Sequence, residues 1–217
     1  MFQEEFHVII EMKQQIAKWK HTYFLTVNNT KYIGKANRRI AFEKRKISLF
    51  DEKDKEIALI KEQSQITPIL QKIPILNWFI PINFELEMDG SCIGEIKVPK
   101  TIIQDKFIAS IDNKTYFCYY HTGGLKGDVF SIYQDDLQIG MVRKSKLVEW
   151  NAHGYTGEFE NHTNIIYSLL FMVLIDVLWF TDDISINETV YSRKYEAYWG
   201  FDRIWGKKPN LNWKPKK

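Results

Sequence analysis

Residues 163–181 read TNIIYSLLFMVLIDVLWFT, and Asp176 is the one ionisable residue among them. No other stretch restricts the fold as strongly. Sixteen residues, 165–180, pass without a glycine, a proline or a turn signal, which argues for a helix and against a strand. At ~1.5 Å per residue that helix is about 24 Å long. A bilayer core takes ~20 predominantly apolar residues. Asp176 would cost ~2.5–3.5 kcal/mol at the bilayer centre on insertion scales. The flanks carry Glu158, Glu160, Asp182 and Asp183, and the nearest cations are Lys146 and Arg193. A spanning helix normally keeps Lys or Arg close to its cytoplasmic end. Together these features favour a helix over 163–180 enclosed by protein, capped by Asn161 or Thr163. Asp176, once buried, must then be hydrogen-bonded, paired or neutral, and a structural role is expected for it.

The enclosure has a candidate upstream. ISLFDEKDKEIALIKE, FELEMDGSCIGEIKV, FIASIDNKTYFCYY and VFSIYQDDLQIGMVRK each place two apolar runs around a polar turn. Asp89-Gly90 and Asp112-Asn113 supply the positive φ angles of tight hairpins. Four such units predict an antiparallel meander, closed or nearly closed into a barrel. SCIGEIKV and LQIGMVRK share an IG-x-[IV]-[KR] core and read as a weak internal repeat. High aromatic content, 15%, agrees with a strand-rich fold. Upstream, Phe2, Phe6, Ile9, Ile10 and Ile16 approach helical spacing. Residues 1–21 therefore read as an N-terminal segment with an amphipathic helix over 2–17, a strand being the competitor. Residues 66–83, ITPILQKIPILNWFIPIN, are apolar but hold three prolines, which fits an irregular connection over the barrel. Residues 182–217 form an aromatic and basic extension with Trp199, Trp205 and Trp213, suited to a membrane interface, an anionic partner or stacking on the barrel.

This arrangement resembles the tubby C-terminal-like families: the plant LURP-one-related proteins, their bacterial relatives and the phospholipid scramblases. ELEMDGSCIGEIKVPK, SIYQDDLQIGMVRKS and the helix SLLFMVLIDVLWF carry the resemblance, over roughly residues 30–181. It implies a mainly β fold of about twelve antiparallel strands in a closed barrel, threaded by the hydrophobic C-terminal helix. It also implies phosphoinositide binding, as in tubby proteins, or a scramblase-like action on lipid. Where scramblases carry an acidic calcium segment, this chain has YTGEFENHTN, whose Glu158 and Glu160 lack calcium-loop spacing.

The residues that suit an anionic ligand lie in KYIGKANRRIAFEKRK, 31–46, with seven Lys or Arg against Glu43. Lys44, Arg45 and Lys46 are consecutive; on a strand Lys44 and Lys46 would share a face. Arg offers phosphate a bidentate fork and Lys a point charge. A smaller cluster is Arg143, Lys144 and Lys146. The competing reading of both is a solvated strand face. His7, His21, His121, His153 and His162 lack ligand spacing, and HTGGLKG, 121–127, lacks P-loop spacing. Cys92 and Cys118 read as reduced and buried. No catalytic constellation, metal set or cofactor motif is visible. A net charge of +3 argues against nucleic acid. The expectation is a non-enzymatic, cytoplasmic tubby-like domain, 22–181, that binds an anionic ligand such as phospholipid headgroups through basic strand faces and so meets a membrane surface. Two alternatives stand beside it: a structural or protein-interaction module without a small ligand, and a membrane-anchored scramblase-like protein.

Overall fold

The structure, a computed structural model, describes residues 7–16, 20–37, 44–63, 81–99, 105–122, 128–145, 147–148, 153–180, 190–191, 210 and 212–215. The strands are β1 Val8–Ile16, β2 Lys20–Val27, β3 Thr30–Asn37, β4 Lys46–Phe50, β5 Glu56–Glu62, β6 Ile82–Met88 and β7 Ser91–Val98. They continue as β8 Lys106–Ile111, β9 Lys114–Thr122, β10 Asp128–Gln134, β11 Leu137–Lys144, β12 Leu147–Val148 and β13 Gly154–Phe159. Helix α1, Ile165–Trp179, follows, and β14, Val190–Tyr191, pairs with β12 outside the main sheet. β1 to β11 and β13 form one closed barrel of twelve antiparallel strands in meander order. β13 closes it by pairing with both β11 and β1.

Closure decides the N-terminal segment. Residues 8–16 form a strand, not the expected amphipathic helix. Val8, Ile10, Met12 and Gln14 are buried in alternation with exposed Ile9, Glu11, Lys13 and Gln15. That is a period of two, and both edges of β1 are hydrogen-bonded, to β2 and β13. Without β1 the barrel would expose two edges. The barrel thus begins at Val8 rather than at residue 22.

The repeated IG motif has a structural cause. Opposite Ile132 lies Gly140 and opposite Tyr133 lies Gln138, so Ile139 is an extra residue on β11. In the same way Leu86 faces Gly94 and Glu87 faces Cys92, leaving Ile93 extra on β7. β5 repeats the device, with Leu49 facing Ala58 and Phe50 facing Glu56 around Ile57. Each bulge adds local twist shortly after a tight turn, which helps curl the sheet shut. Glycine follows two of the bulges because a side chain there has no room. A Cβ at Gly94 would lie 2.2 Å from the Ser110 carbonyl oxygen, and one at Gly140 2.5 Å from the Phe159 ring.

Helix α1 runs through the interior. Every residue from Tyr167 to Val177 is buried, so no face of the helix meets water. Phe171 packs its ring on Phe107 and Tyr116, with centroids 5.4 and 5.7 Å away. Gly34 and Gly157 leave room for it: an added Cβ would lie 3.1 Å from Val173 and 2.8 Å from the Met172 sulfur. The cap is Asn164, not Asn161 or Thr163; its side chain accepts from the Ile166 N–H at 2.9 Å. No helix among the described residues is long and apolar enough to cross a membrane. The apolar run is the filling of the barrel, which removes the reading that used it as a membrane anchor.

The two barrel rims differ. At one, Asn28-Asn29, 51–55, Asp89-Gly90, Asp112-Asn113 and Asp135-Asp136 make the tight turns, and the chain enters α1 there. Asp54, Asp89, Asp112 and Asp135 take positive φ, as short Asx side chains can. At the other rim lie the opposite strand ends and the C-terminal end of α1. Most of the proline-rich segment over 66–83 lies outside the described residues, as does most of the 182–217 extension.

Candidate functional site

Lys44, Arg45 and Lys46 come together at the second rim, where β3 ends and β4 begins. They line a cavity of about 600 Å³ with Asn37, Lys61, Glu62, Gln63 and Glu85. The strand alternation expected for the triplet does not hold, because β4 starts only at Lys46. Lys44 and Arg45 belong to the approach, which the Asn37 side chain clamps. Its Nδ2 donates to the Lys44 carbonyl at 2.8 Å and its Oδ1 accepts from the Lys46 N–H at 2.6 Å. The backbone of Arg45 is held by Glu62: the Arg45 N–H donates to Glu62 Oε2 at 3.1 Å, and the Glu62 N–H donates to the Arg45 carbonyl at 2.9 Å. Lys44 Nζ donates to the Gln63 carbonyl at 3.0 Å.

Glu62 is 1% exposed, and its Oε1 has no hydrogen-bond partner among the described residues. Lys61, on the opposite face of β5, pairs with Glu87 at 2.7 Å, and this carboxylate lifts the ammonium pKa. Four cations against Glu62 and Glu85 leave the cavity walls net positive. Such walls can take an anion, with Lys46 exposed enough to reach it. Asn37 and Glu62 escaped the sequence reading. The available signal was Glu62 itself, an acid at the inward-facing position that follows Ala58 and Ile60.

Arg143, Lys144 and Lys146 are not brought together. Arg143 faces outward and pairs with Glu158 across the β11–β13 ladder at 3.7 Å. Lys144 is 4% exposed and sets its ammonium 4.6 Å from the Phe180 ring. Lys146 lies outside the described residues. Adjacent strand residues point to opposite faces, which splits the pair. The cysteines also divide: Cys118 is buried, which pushes its thiol pKa well up, while Cys92 is exposed, contrary to expectation.

Asp176 is the centre of a second polar group at the same rim. It is fully buried and accepts from Gln14 Nε2 at 2.6 Å, Tyr23 OH at 2.8 Å and Tyr155 OH at 2.5 Å. His153 Nδ1 lies 3.1 Å from Oδ1, and Gln14 Nε2 lies 3.2 Å from His21 Nδ1. Burial, and then the Asp176 charge, hold both phenols well above their usual pKa. Two tyrosines, an amide and an imidazole thus converge on two carboxylate oxygens, and α1 is tied to β1, β2 and β13. Its standing as the one carboxylate in the apolar run pointed to Asp176; its partners lie far away in sequence. Compared with known proteins, the chain matches no family model, no curated protein and no solved structure.

Proposed function

We propose that this protein is a non-enzymatic, tubby-like barrel that binds an anionic ligand, phospholipid headgroups being the chemistry that fits best. The observation that carries the reading is the cavity at the second rim, where Lys44, Arg45, Lys46 and Lys61 outnumber Glu62 and Glu85. Arg and Lys side by side suit a phosphate group, and the ordered backbone of 44–46 sets their spacing in advance. The barrel supplies rigidity: Asn37 and Glu62, which hold the triplet, both stand at strand ends. The threaded helix agrees with what the tubby-like resemblance implies for fold. A protein-interaction module without a small ligand is the second reading. It is favoured by Lys44 and Lys61 already having protein partners.

Titration calorimetry with inositol trisphosphate, a soluble headgroup, tests the proposal on the full chain. Binding at low salt that falls at least tenfold in K44E/K46E supports it. No heat at low salt, or equal binding by the double variant, refutes it and favours the protein-interaction reading. Far-UV circular dichroism of the variant establishes that the barrel is intact.

A further inference from the structure

We infer that the cavity at the second rim is bipolar and takes a phosphate ester that also carries a primary ammonium group. This rests on the anionic-ligand reading and adds to it the second half of the ligand. Lys44, Arg45 and Lys46 suit the phosphate. The β5–β6 wall of the same cavity carries Glu62 and Glu85. A solvated surface carboxylate needs no explanation, but a buried polar atom without a partner does. Glu62 holds such an atom. Its Oε2 accepts from the Arg45 N–H at 3.1 Å, while its Oε1 has no donor among the described residues.

Glu85 adds to the imbalance. Lys61 stands directly across the ladder from it. Yet the Lys61 ammonium goes to Glu87, with both carboxylate oxygens in reach at 2.7 and 2.8 Å. Glu85 makes no hydrogen bond or ion pair among the described residues. Its neighbour on β7 is Glu95, a like charge, and like charges placed directly opposite are unfavourable. Nor does the fold require an acid at position 62, which follows Ala58 and Ile60 on the inward face. An ammonium in the cavity gives both carboxylates what they lack, a positive charge and N–H donors.

The strand register sets the scale. Lys46 and Glu85 stand two strands apart, across Lys61, so two spacings of ~4.8 Å separate their backbones. Long side chains reaching in from both sides leave room for a small bifunctional molecule. A purely anionic ligand answers the lysines and leaves the carboxylates unmatched. One phosphate joined to one ammonium answers both. This chemistry occurs in a lipid headgroup and in a free amino-alcohol phosphate.

Calorimetry on the full chain with O-phosphoethanolamine and O-phosphocholine tests the proposal. The two share the phosphate, but methylation removes every N–H donor from the second. The expected result is at least tenfold tighter binding of phosphoethanolamine, with the ratio falling close to unity in E62Q/E85Q. Inositol trisphosphate, measured beside them, reports the anionic reading separately. Equal affinity for the two probes beside intact inositol trisphosphate binding overturns the ammonium and spares the anionic cavity. A tenfold preference that survives in E62Q/E85Q overturns the role of the carboxylates. Absence of binding by all three ligands fails both readings together. Circular dichroism checks the fold of the double variant. Should it not fold, E85Q, which leaves the Glu62 contact to Arg45 in place, is expected to lower the ratio at least threefold, and an unchanged ratio refutes the proposal. Glycerophosphoethanolamine, the diester found in lipid, distinguishes the source. Binding tighter than that of the monoester supports a lipid headgroup and weaker binding a free phosphate; either supports the pairing of phosphate with ammonium.

Discussion

Substitution of Asp176 is the perturbation with the largest expected effect. The carboxylate receives donors from Gln14, Tyr23 and Tyr155 at 2.5–2.8 Å and has His153 at 3.1 Å. A hydrogen bond to a charged group contributes ~1.5–3 kcal/mol, yet burying the charge costs several kcal/mol, so the intact group adds little net stability. Breaking it is a different matter, because each stranded buried donor costs ~1–3 kcal/mol. Asp176→Ala strands as many as four and leaves a void, with partial relaxation, for a loss of about 4–5 kcal/mol. Asp176→Asn keeps one acceptor but turns an amide towards Gln14 and Tyr23. The Tyr23 hydroxyl can rotate to accept; the Gln14 amide meets donor with donor, for a loss of about 2–3 kcal/mol. Tyr23→Phe, which leaves the carboxylate its other donors, should lose about 1–2 kcal/mol. Urea denaturation followed by circular dichroism measures all three against a domain stability of ~5–15 kcal/mol. The ranking Ala, Asn, Phe is the test. Asp176→Asn within ~0.5 kcal/mol of the native chain would refute the reasoning, as would a stable Asp176→Leu, since leucine satisfies none of the donors.

Two further perturbations follow from the packing. Burial lowers the His121 pKa from 6.5 to about 4, with the ring 2.7 Å from Ser131 Oγ. The unfolded chain then binds the proton first, so stability is full above pH 6.5 and falls as pH drops towards 4. The loss should approach but not exceed about 3 kcal/mol. Urea midpoints across that window should show an acid slope in the native chain that His121→Gln flattens; an unchanged slope places the titration elsewhere. Gly94→Ala should cost more than Gly157→Ala. The first meets backbone, the Ser110 carbonyl oxygen at 2.2 Å; the second meets the Phe159 ring at 2.7 Å and the flexible Met172 at 2.8 Å. Overpacking costs of ~1–3 kcal/mol are expected at Gly157 and the upper end or beyond at Gly94, and thermal melts giving the reverse order would contradict the placement of the β7 bulge.

The sequence alone determined that 165–179 is a helix and that it is enclosed. A run apolar all round, too short to span, with acidic flanks and one carboxylate, leaves few other environments. Local turn chemistry located the hairpins at Asp89-Gly90, Asp112-Asn113 and Asp135-Asp136, because positive φ is a property of a few adjacent residues. The Ile-Gly repeat was legible as a repeated hairpin motif, but the bulges that underlie it appear only in the strand register. Other features required the whole barrel. Val8–Ile16 is ambiguous as a string, and becomes a strand only because β2 and β13 offer it two hydrogen-bonding edges. Lys44, Arg45 and Lys46 share a wall with Lys61 because β3, β4 and β5 end at one rim. Arg143 and Lys144 part because the β11 pleat sends one outward and one in. The partners of Asp176 were beyond any local reading. Gln14 lies 162 residues away and Tyr23 153, and only closing the barrel around the helix brings their donors to one carboxylate.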